Sequence, residues 1–266
     1  MILLLDVGNS SIKWLITDEY CDISPSAIVG RLAYRADDSW SELWKAIDEH
    51  VDLYKLQQPI NWAISSVKPT VTQQLVAANN PWGLAAPYIA SSTKQFGNLT
   101  NAYNNPLKMG VDRWLAMIAA SDEGRESVLV IDCGTAITVD CVAPNGIHKG
   151  GFITAGMHTQ LQALLSNTER VFSDELVPSF DIAFADDTER CVENGLKAQL
   201  YGYFCQCIGQ AVDNDCRTVI LAGGGSNWAE GLLSKACSRF GVDFRSDPLV
   251  IFKGLLSAYR KEYKKI

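Results

Sequence analysis

One short pattern occurs twice in this chain and constrains its fold more than any other feature. Residues 3–9 read LLLDVGN, and 126 residues later residues 129–135 read LVIDCGT. Each copy has an apolar run, an Asp-x-Gly and a small polar residue, and continues into a second apolar stretch, 12–16 or 137–142. The pattern predicts a β-hairpin with a carboxylate at its turn, used twice, within an α/β architecture.

Both turns carry groups that can hold phosphate oxygens. Glycine lets the backbone approach a ligand closely, and flanking N–H groups and hydroxyls can donate hydrogen bonds. Asp6 can hold Mg²⁺ directly or through water, while Ser10, Ser11 and Lys13 can contact phosphate. Buried strands that end in common turn residues would explain either copy alone, but matching Asp and Gly in both favour a phosphate site. Lys13 by itself is explained as well by an ordinary solvated strand lysine.

Composition fits a folded protein with an acidic surface. The 266 residues suit one large domain or two of about 100–150 residues each. A hydrophobic content of 47% with 20% charged residues argues against disorder. The net charge of −7 argues against non-specific nucleic-acid binding, which needs a basic surface. An anionic substrate would therefore need local positive groups.

The sequence predicts a cytoplasmic protein with no membrane association. The opening apolar run 1–5 has no preceding Lys or Arg and is cut by Asp6, unlike an export signal. No stretch approaches the roughly 18 apolar residues that would cross a bilayer. The eight cysteines lack paired Cys-x-x-Cys spacing, which favours free thiols in a reducing compartment over zinc ligands or disulfides.

Periodicity and turn residues predict alternating strands and helices. Strands are expected near 2–6, 11–17, 27–35, 60–67, 87–90, 127–132, 136–143, 147–154, 218–222 and 242–245. Helices are expected at about 39–57, 69–78, 113–122, 157–166, 186–213, 227–240 and from Pro248 onward. The polar segment 91–106 is the candidate for a substrate loop or a domain crossing.

A second constellation consists of Tyr103, Gly110, Asp112 and Arg113. Asp112 stands at a predicted helix start, where it is either a capping residue or a general base. Arg113 is either part of a surface salt bridge or a carboxylate anchor suited to bidentate contact.

The common nucleotide-binding signatures are absent. The chain contains neither a Gly-x-x-x-x-Gly-Lys-Ser/Thr P-loop nor a Gly-x-Gly-x-x-Gly fingerprint. Residues 223–225 are three consecutive glycines between a predicted strand and a predicted helix. A flat ring can lie against such a backbone, although a simple tight turn explains the glycines too.

Together these motifs resemble those of the type III pantothenate kinases, members of the acetate/sugar kinase–Hsc70–actin superfamily, over nearly the whole chain. Residues 6–13 resemble the first phosphate motif, Asp-x-Gly-Asn-Thr/Ser-x-x-Lys, and 132–138 resemble the second. Residues 110–113 are similar to the Gly-x-Asp-Arg signature, with Tyr103 ahead of it at the family's spacing.

The resemblance implies duplicated ribonuclease H-like (actin-like ATPase) domains with a cleft between them. The first, 1–113, would hold the first phosphate turn and the substrate loop. The second, 114–266, would hold the second phosphate turn and an adenosine-side glycine-rich turn. A homodimer is also implied.

The resemblance further assigns roles to individual residues. Asp112 is expected to be the catalytic base, Asp6 a Mg²⁺ ligand, and Asp132 the position associated with K⁺ or ammonium. Thr188 is expected to bind substrate at a dimer interface. The implied ATP contacts are Asp6, Val7, Gly8, Asn9, Ser10, Ser11, Ile12, Lys13 and Thr135. The implied pantothenate contacts are Tyr103, Gly110, Val111, Asp112, Arg113 and Thr188.

Two segments depart from the family pattern. The family commonly has Gly-Gly-x-Ile-x-Pro-Gly where residues 150–156 read GGFITAG. Asp187 replaces the more usual Asn before Thr188. The second departure bears directly on the role assigned to Thr188.

The implied activity is ATP-dependent phosphorylation of pantothenate to 4′-phosphopantothenate, the first step towards coenzyme A. One alternative is a kinase of the same superfamily that acts on another small hydroxyl or carboxylate substrate. Another is a non-catalytic accessory regulator. The acidic composition and the complete set of Asp6, Asp112 and Asp132 argue against the regulator, because a binding-only protein does not need all three carboxylates.

Overall fold

The chain folds into two units. The structure, a computed structural model, describes residues 1–34, 40–78, 80–122, 127–167 and 181–264. The first unit consists of Met1–Phe96, Tyr103–Ala119 and Leu249–Ile266. The second consists of Gly97–Ala102 and Ala120–Pro248.

Strands and helices alternate along the described residues. The strands are β1 (Ile2–Val7), β2 (Ser11–Thr17), β3 (Gly30–Ala33), β4 (Asn61–Ser66), β5 (Tyr88–Ile89), β6 (Gln95–Phe96), β7 (Leu99–Thr100), β8 (Val128–Cys133), β9 (Ala136–Val142), β10 (His148–Ala155), β11 (Thr218–Ala222) and β12 (Asp243–Ser246). The helices are α1 (Trp40–Leu53), α2 (Pro69–Ala77), α3 (Val111–Asp122), α4 (Met157–Asn167), α5 (Thr188–Val212), α6 (Ser226–Phe240) and α7 (Val250–Lys264). A 3₁₀ turn, Pro106–Lys108, precedes α3.

The two five-stranded sheets have the same topology. The first has the order β3-β2-β1-β4-β5 and the second β10-β9-β8-β11-β12. In each, the first three strands of the sequence pair antiparallel and the later two join in parallel. The repeated order and strand directions confirm the predicted duplication and the α/β class.

The first sheet presents one apolar face to helices because alternate strand residues point the same way. Leu3, Leu5 and Val7 are fully buried in a cluster with residues of α1 and α2. Ile47 of α1 lies in the same cluster, at helical spacing from its buried neighbours. Asp6 therefore points to the opposite face of β1.

In the second unit, α5 and α6 cover the sheet. Leu129 and Ile131 of β8 share a buried cluster with Phe204 of α5 and Leu232 of α6. The cluster fixes β8, which carries Asp132 near its carboxyl end.

Helix α7 belongs to the first unit, which differs from the predicted domain 114–266. It packs on β1 and β4. Gly254 permits a close approach to α3, because a Cβ there would lie 1.9 Å from the carbonyl oxygen of Leu115. Tyr259 donates a hydrogen bond to Glu19 (3.2 Å), and Arg260 Nε donates to the Glu19 carbonyl (2.8 Å). Burial of the α7 face thus makes the first unit discontinuous in sequence.

Some element ends also differ from prediction. Helix α3 begins at Val111 rather than near 113, with Trp114 N–H donating to the Gly110 carbonyl (3.2 Å). Helix α7 begins at Val250, two residues after Pro248. Most of the predicted irregular region 167–184 lies outside the described residues. None of the described helices combines the length and apolarity needed for a membrane span.

Candidate active site

Asp6 is a buried carboxylate near the carboxyl end of β1. Ser65, its partner on β4, donates a hydrogen bond to Asp6 Oδ1 at 3.1 Å. The pKa of Asp6 is raised to about 6, chiefly because burial removes the carboxylate from water. Lys13 and the Ser65 hydrogen bond oppose the rise, whereas the nearby Asp112 carboxylate adds to it. The expected metal-binding carboxylate and the expected general base therefore share one electrostatic environment.

The first expected phosphate turn is closed by one backbone hydrogen bond and one hydrogen bond from a tyrosine hydroxyl. Gly8 N–H donates to the Ser11 carbonyl (3.1 Å), and Tyr34 donates its hydroxyl to the Gly8 carbonyl (2.7 Å). Asn9 and Ser10 are exposed at its tip. Their amides and side chains are thus available to an anion.

Besides Asp6, three of the expected ATP contacts in this segment are buried. Val7 and Ile12 are fully buried in the apolar cluster, so only their backbone groups can contact a nucleotide. Ser11 is also buried, and its hydroxyl accepts a hydrogen bond from Arg31 Nε at 3.2 Å. Arg31 was not expected from the sequence.

Asp112 lies in the first turn of α3. Its Oδ1 accepts a hydrogen bond from Arg113 N–H at 2.8 Å. This contact fixes the carboxylate at the helix start, where unpaired N–H groups favour negative charge. Asp112 can act as a base and stabilise the helix start at the same time, because one carboxylate oxygen accepts several hydrogen bonds.

Arg113 and Tyr103 form a buried pair. Arg113 is only 6% exposed, so it is not a surface salt-bridge residue. Its Nη1 donates to the Tyr103 hydroxyl at 3.0 Å, and its guanidinium carbon lies 5.8 Å from the Tyr103 ring centre. A guanidinium held in this way presents a planar set of donors suited to a carboxylate. The structure thus brings these two predicted substrate residues into contact.

The second expected phosphate turn, like the first, is closed by a backbone hydrogen bond from its glycine. Asp132 stands near the end of β8, and Gly134 N–H donates to the Ala136 carbonyl at 2.9 Å. Thr135 is exposed. Its carbonyl accepts hydrogen bonds from Gly156 N–H (2.9 Å) and the Thr159 hydroxyl (2.7 Å), which hold the turn against the start of α4.

The glycine-rich turn lies directly beside Asp132. Gly223 has a positive φ of 95°, and a Cβ there would lie 2.5 Å from Asp132 Oδ1. Gly225 N–H donates to the Cys133 carbonyl at 2.7 Å. Only glycine permits this approach at position 223.

Comparison with known proteins decides the family. The family model of the type III pantothenate kinases matches residues 2–210. The chain belongs to the type III pantothenate kinase family. The type III pantothenate kinase of Pseudomonas aeruginosa strain LESB58 is 31% identical to it over 97% of this chain and 98% of the relative. The type III pantothenate kinase of Halorhodospira halophila is also 31% identical, and the match covers 100% of both chains.

A solved structure agrees with the fold. The (R)-2-hydroxyglutaryl-CoA dehydratase component A of Acidaminococcus fermentans has a TM-score of 0.53 at 15% identity, covering 99% of this chain and 98% of its own. The fold of this family member is the duplicated ribonuclease H-like fold of the actin-like ATPases.

Thr188 is the first residue of α5 and is exposed. Asp187 caps the helix by accepting a hydrogen bond from Arg190 N–H at 2.8 Å, and this bond, with that from the Arg190 side chain, lowers the pKa of Asp187. A capping role explains why Asp is accepted here in place of the family's usual Asn. Within the described residues, no hydrogen bond joins the Thr188 side chain to another expected site residue.

Sheet register brings two residues that the sequence patterns missed, Ser65 and Arg31, beside the expected site residues Asp6 and Lys13. Ser65, Asp6, Lys13 and Arg31 are successive cross-strand partners on β4, β1, β2 and β3. Directly paired residues project from the same face of a sheet. These four residues, the polar row, therefore line one face beside the first phosphate turn.

Metal binding would need ligands beyond the side chains. Among the described residues, no group of three or more His, Cys, Asp or Glu side chains could hold a metal ion. A cation at Asp6 or Asp132 would take its other oxygen ligands from the backbone, water or nucleotide phosphates, as hard cations commonly do.

Proposed function

We propose that this chain transfers the γ-phosphoryl group of ATP to the primary hydroxyl of pantothenate, giving 4′-phosphopantothenate, the first step towards coenzyme A. The position of Asp112, fixed at the start of α3 within electrostatic range of Asp6, carries the proposal. Membership of a family of kinases supplies the substrate class. A cytoplasmic location suits the eight cysteines, which a reducing compartment keeps as thiols.

Asp112 is the proposed general base. Its carboxylate would accept the hydroxyl proton as the substrate oxygen attacks the γ-phosphorus. The Arg113 N–H holds one carboxylate oxygen, which limits rotation of the side chain. Positioning of this kind contributes strongly in phosphoryl transfer, where the protein does little covalent chemistry.

Arg113 and Tyr103 are the proposed anchors of the pantothenate carboxylate. Their mutual hydrogen bond keeps the guanidinium plane in place before substrate arrives. Because Arg113 is buried, its contact with a carboxylate is less screened than a surface ion pair. We include Thr188 as a further substrate contact, supplied across the interface of a homodimer.

The segment 6–13 is the proposed ATP-phosphate site. Asn9 and Ser10 would donate from the exposed tip, and Lys13 would contact phosphate oxygens. Asp6 fits a Mg²⁺ ligand, because the Asp112 carboxylate acts on the same buried position and a cation would offset that repulsion. When bound, Mg²⁺ would neutralise negative charge on the phosphate groups.

Asp132 is the proposed ligand of a monovalent cation, K⁺ or ammonium. It is a half-buried carboxylate at the second phosphate turn, with Thr138 and Ala222 as its strand partners. Neither partner carries positive charge, so a bound cation would provide the charge that Lys13 provides at the first turn. Thr135 would add a hydroxyl contact to ATP.

The test is consumption of ATP by the purified protein with pantothenate, sugars or acetate, with and without K⁺. We expect turnover with pantothenate, a product heavier by one phosphoryl group, and stimulation by K⁺. The matched control is Asp112→Asn, which keeps the shape and the acceptor oxygen but cannot take the proton. Turnover with a sugar or acetate alone would identify another kinase of the superfamily. Absence of turnover with any substrate would favour a regulator.

A further inference from the structure

The polar row contains a cation that the expected ATP segment does not include. Arg31 on β3 is directly opposite Lys13 on β2, and Lys13 is opposite Asp6 on β1. Arg31 is exposed, whereas Asp6 is buried. The row thus runs from a buried carboxylate to an exposed guanidinium along one face of the first sheet.

The Arg31 side chain extends towards the phosphate turn. Its Nε donates to the Ser11 hydroxyl at 3.2 Å, although the strand partner of Ser11 is Ala33. The guanidinium therefore lies nearer the turn than the Arg31 backbone does. Within the part of the chain that the structure describes, no hydrogen bond or ion pair engages its two Nη groups.

Tyr34, the residue that follows β3, is held to the same turn. Tyr34 N–H donates to the Ser10 carbonyl at 3.4 Å, and the Tyr34 hydroxyl donates to the Gly8 carbonyl. These bonds fix the end of β3 relative to the turn. Arg31 is thereby presented by a strand that is anchored to the expected phosphate site.

Two like charges directly opposite each other destabilise an antiparallel pair. Asp6 lies beside Lys13 but is not the direct partner of Arg31. The corresponding row of the second sheet is Ala222, Asp132, Thr138 and Ile153, which contains no cation. The topology itself therefore does not require a positive charge at the position of Arg31. In the first sheet, a bound anion would offset the repulsion between Lys13 and Arg31.

We propose that Arg31 binds the phosphates of ATP as a second cation beside Lys13, an inference that rests on the proposed kinase function. The two Nη groups offer the planar donors that suit phosphate oxygens, while Nε holds Ser11. The chain has a net charge of −7, so binding of a polyphosphate depends on local cations of this kind.

The experiment compares binding of Mg²⁺-ATP, Mg²⁺-ADP and adenosine to the parent, Arg31→Gln and Arg31→Lys by calorimetry. Arg239→Gln, an exposed arginine in the last turn of α6, is the control of equal charge change. We expect Arg31→Gln to weaken ATP binding about tenfold, the scale of one charge-assisted hydrogen bond, and to leave adenosine binding unchanged. The ATP affinity of Arg31→Lys should lie between those of the parent and Arg31→Gln, and the ATP affinity of Arg239→Gln should match that of the parent.

Measurements of KM and of thermal stability distinguish phosphate binding by Arg31 from a purely structural role. Arg31→Gln should raise KM for ATP, leave KM for pantothenate within about twofold, and keep the thermal midpoint of the parent. ATP binding equal to the parent, or an equal loss for ATP and adenosine, would overturn the inference. A parent that binds ATP but does not phosphorylate pantothenate would refute the proposed function. The binding data for the Arg31 variants would still show whether Arg31 binds the phosphates of ATP. A parent that binds no ATP would overturn both.

Discussion

The carboxylate of Asp112 occupies the space that a side chain on Gly110 would need. A Cβ at position 110 would lie 2.5 Å from Asp112 Oδ1, well inside contact distance. The same oxygen accepts the hydrogen bond from Arg113 N–H. Glycine at position 110 is therefore a condition for the observed orientation of Asp112.

Gly110→Ala should lower kcat strongly while leaving the fold intact. The added methyl group displaces the Asp112 carboxylate, and a misplacement of about 1 Å costs roughly 10²-fold in rate. Steady-state kinetics with circular dichroism measure both effects. Gly202→Ala is the control, because a Cβ there meets no atom within 4 Å. Unchanged kcat in Gly110→Ala would show that the orientation of Asp112 is unimportant.

Asp6→Asn should abolish activity but stabilise the fold at pH 8. The pKa of Asp6 is raised from 3.8 to about 6, so the folded chain binds this proton more tightly than the unfolded chain. Stability from this group therefore falls as pH rises from about 4 to about 6, by roughly 3 kcal/mol at most. The asparagine amide does not ionise, so Asp6→Asn removes this pH-dependent loss of stability.

Urea unfolding in metal-free buffer at pH 5 and pH 8 measures the effect. The stabilisation by Asp6→Asn should be largest at pH 8 and shrink at pH 5, where Asp6 is mostly protonated. In the free enzyme the ionised carboxylate is the proposed metal ligand, so kcat/KM for Mg²⁺-ATP should decline as pH falls through about 6. Equal stabilisation at both pH values would contradict this account.

Asp132→Ala should weaken use of ATP and remove stimulation by K⁺ or ammonium. The proposed cation loses its carboxylate, and neither strand partner of Asp132 is charged. Titration of K⁺ against rate at fixed ATP measures the change, with Asp243→Ala on β12 as an exposed control. A variant that responds to K⁺ as the parent does would place the cation elsewhere.

Thr188→Val should raise KM for pantothenate more than KM for ATP. The change removes a hydroxyl at nearly constant volume, and a site that hydrogen-bonds its substrate loses affinity without that partner. Initial rates, with each substrate varied in turn, measure the two changes in KM.

Mixed dimers test whether Thr188 acts across an interface. If it does, combining Asp112→Asn with Thr188→Val subunits gives one site with both lesions and one with neither. Activity should then partly recover relative to either impaired parent. No recovery despite verified subunit exchange would assign the base and the threonine to the same subunit's site.

His148→Ala should destabilise the second unit by about 2–4 kcal/mol. The buried His148 ring accepts from Ala102 N–H at Nδ1 (3.3 Å), so Nε2 carries the proton that it donates to Asp140 (2.9 Å). Urea unfolding of a cycle with Asp140→Ala should give a coupling of about 1–3 kcal/mol. The exposed His158→Ala variant should change stability little, and strictly additive losses would show that the pair is not coupled.

Apolar runs and turn residues were enough to predict much of the fold. Strand β11 has the predicted bounds, and β1 differs by one residue, because each is a short apolar run that ends at glycine. The repeated hairpin also predicted the duplication. The membership of α7 was not predictable in this way, since its apolar face does not specify which of two similar sheets it covers.

Grouping of the expected site residues was predictable where they are close in sequence. Asp112 and Arg113 stand in one short motif, and the structure brings Arg113 to Tyr103. Ser65 and Arg31 join Asp6 and Lys13 only through strand register, which depends on pairing between distant segments. A lone serine or arginine in a strand carries no local signal of that pairing.

The discontinuous first unit has a consequence for synthesis on the ribosome. All strands of the second unit emerge before α7, so the second unit can complete its core first. The first unit must wait with the α7 side of β1 and β4 uncovered, on the order of ten seconds at about 5–20 residues per second. The half that holds Asp6 and Asp112 is thus the later half to complete its core, and its apolar surface stays exposed for longer during synthesis.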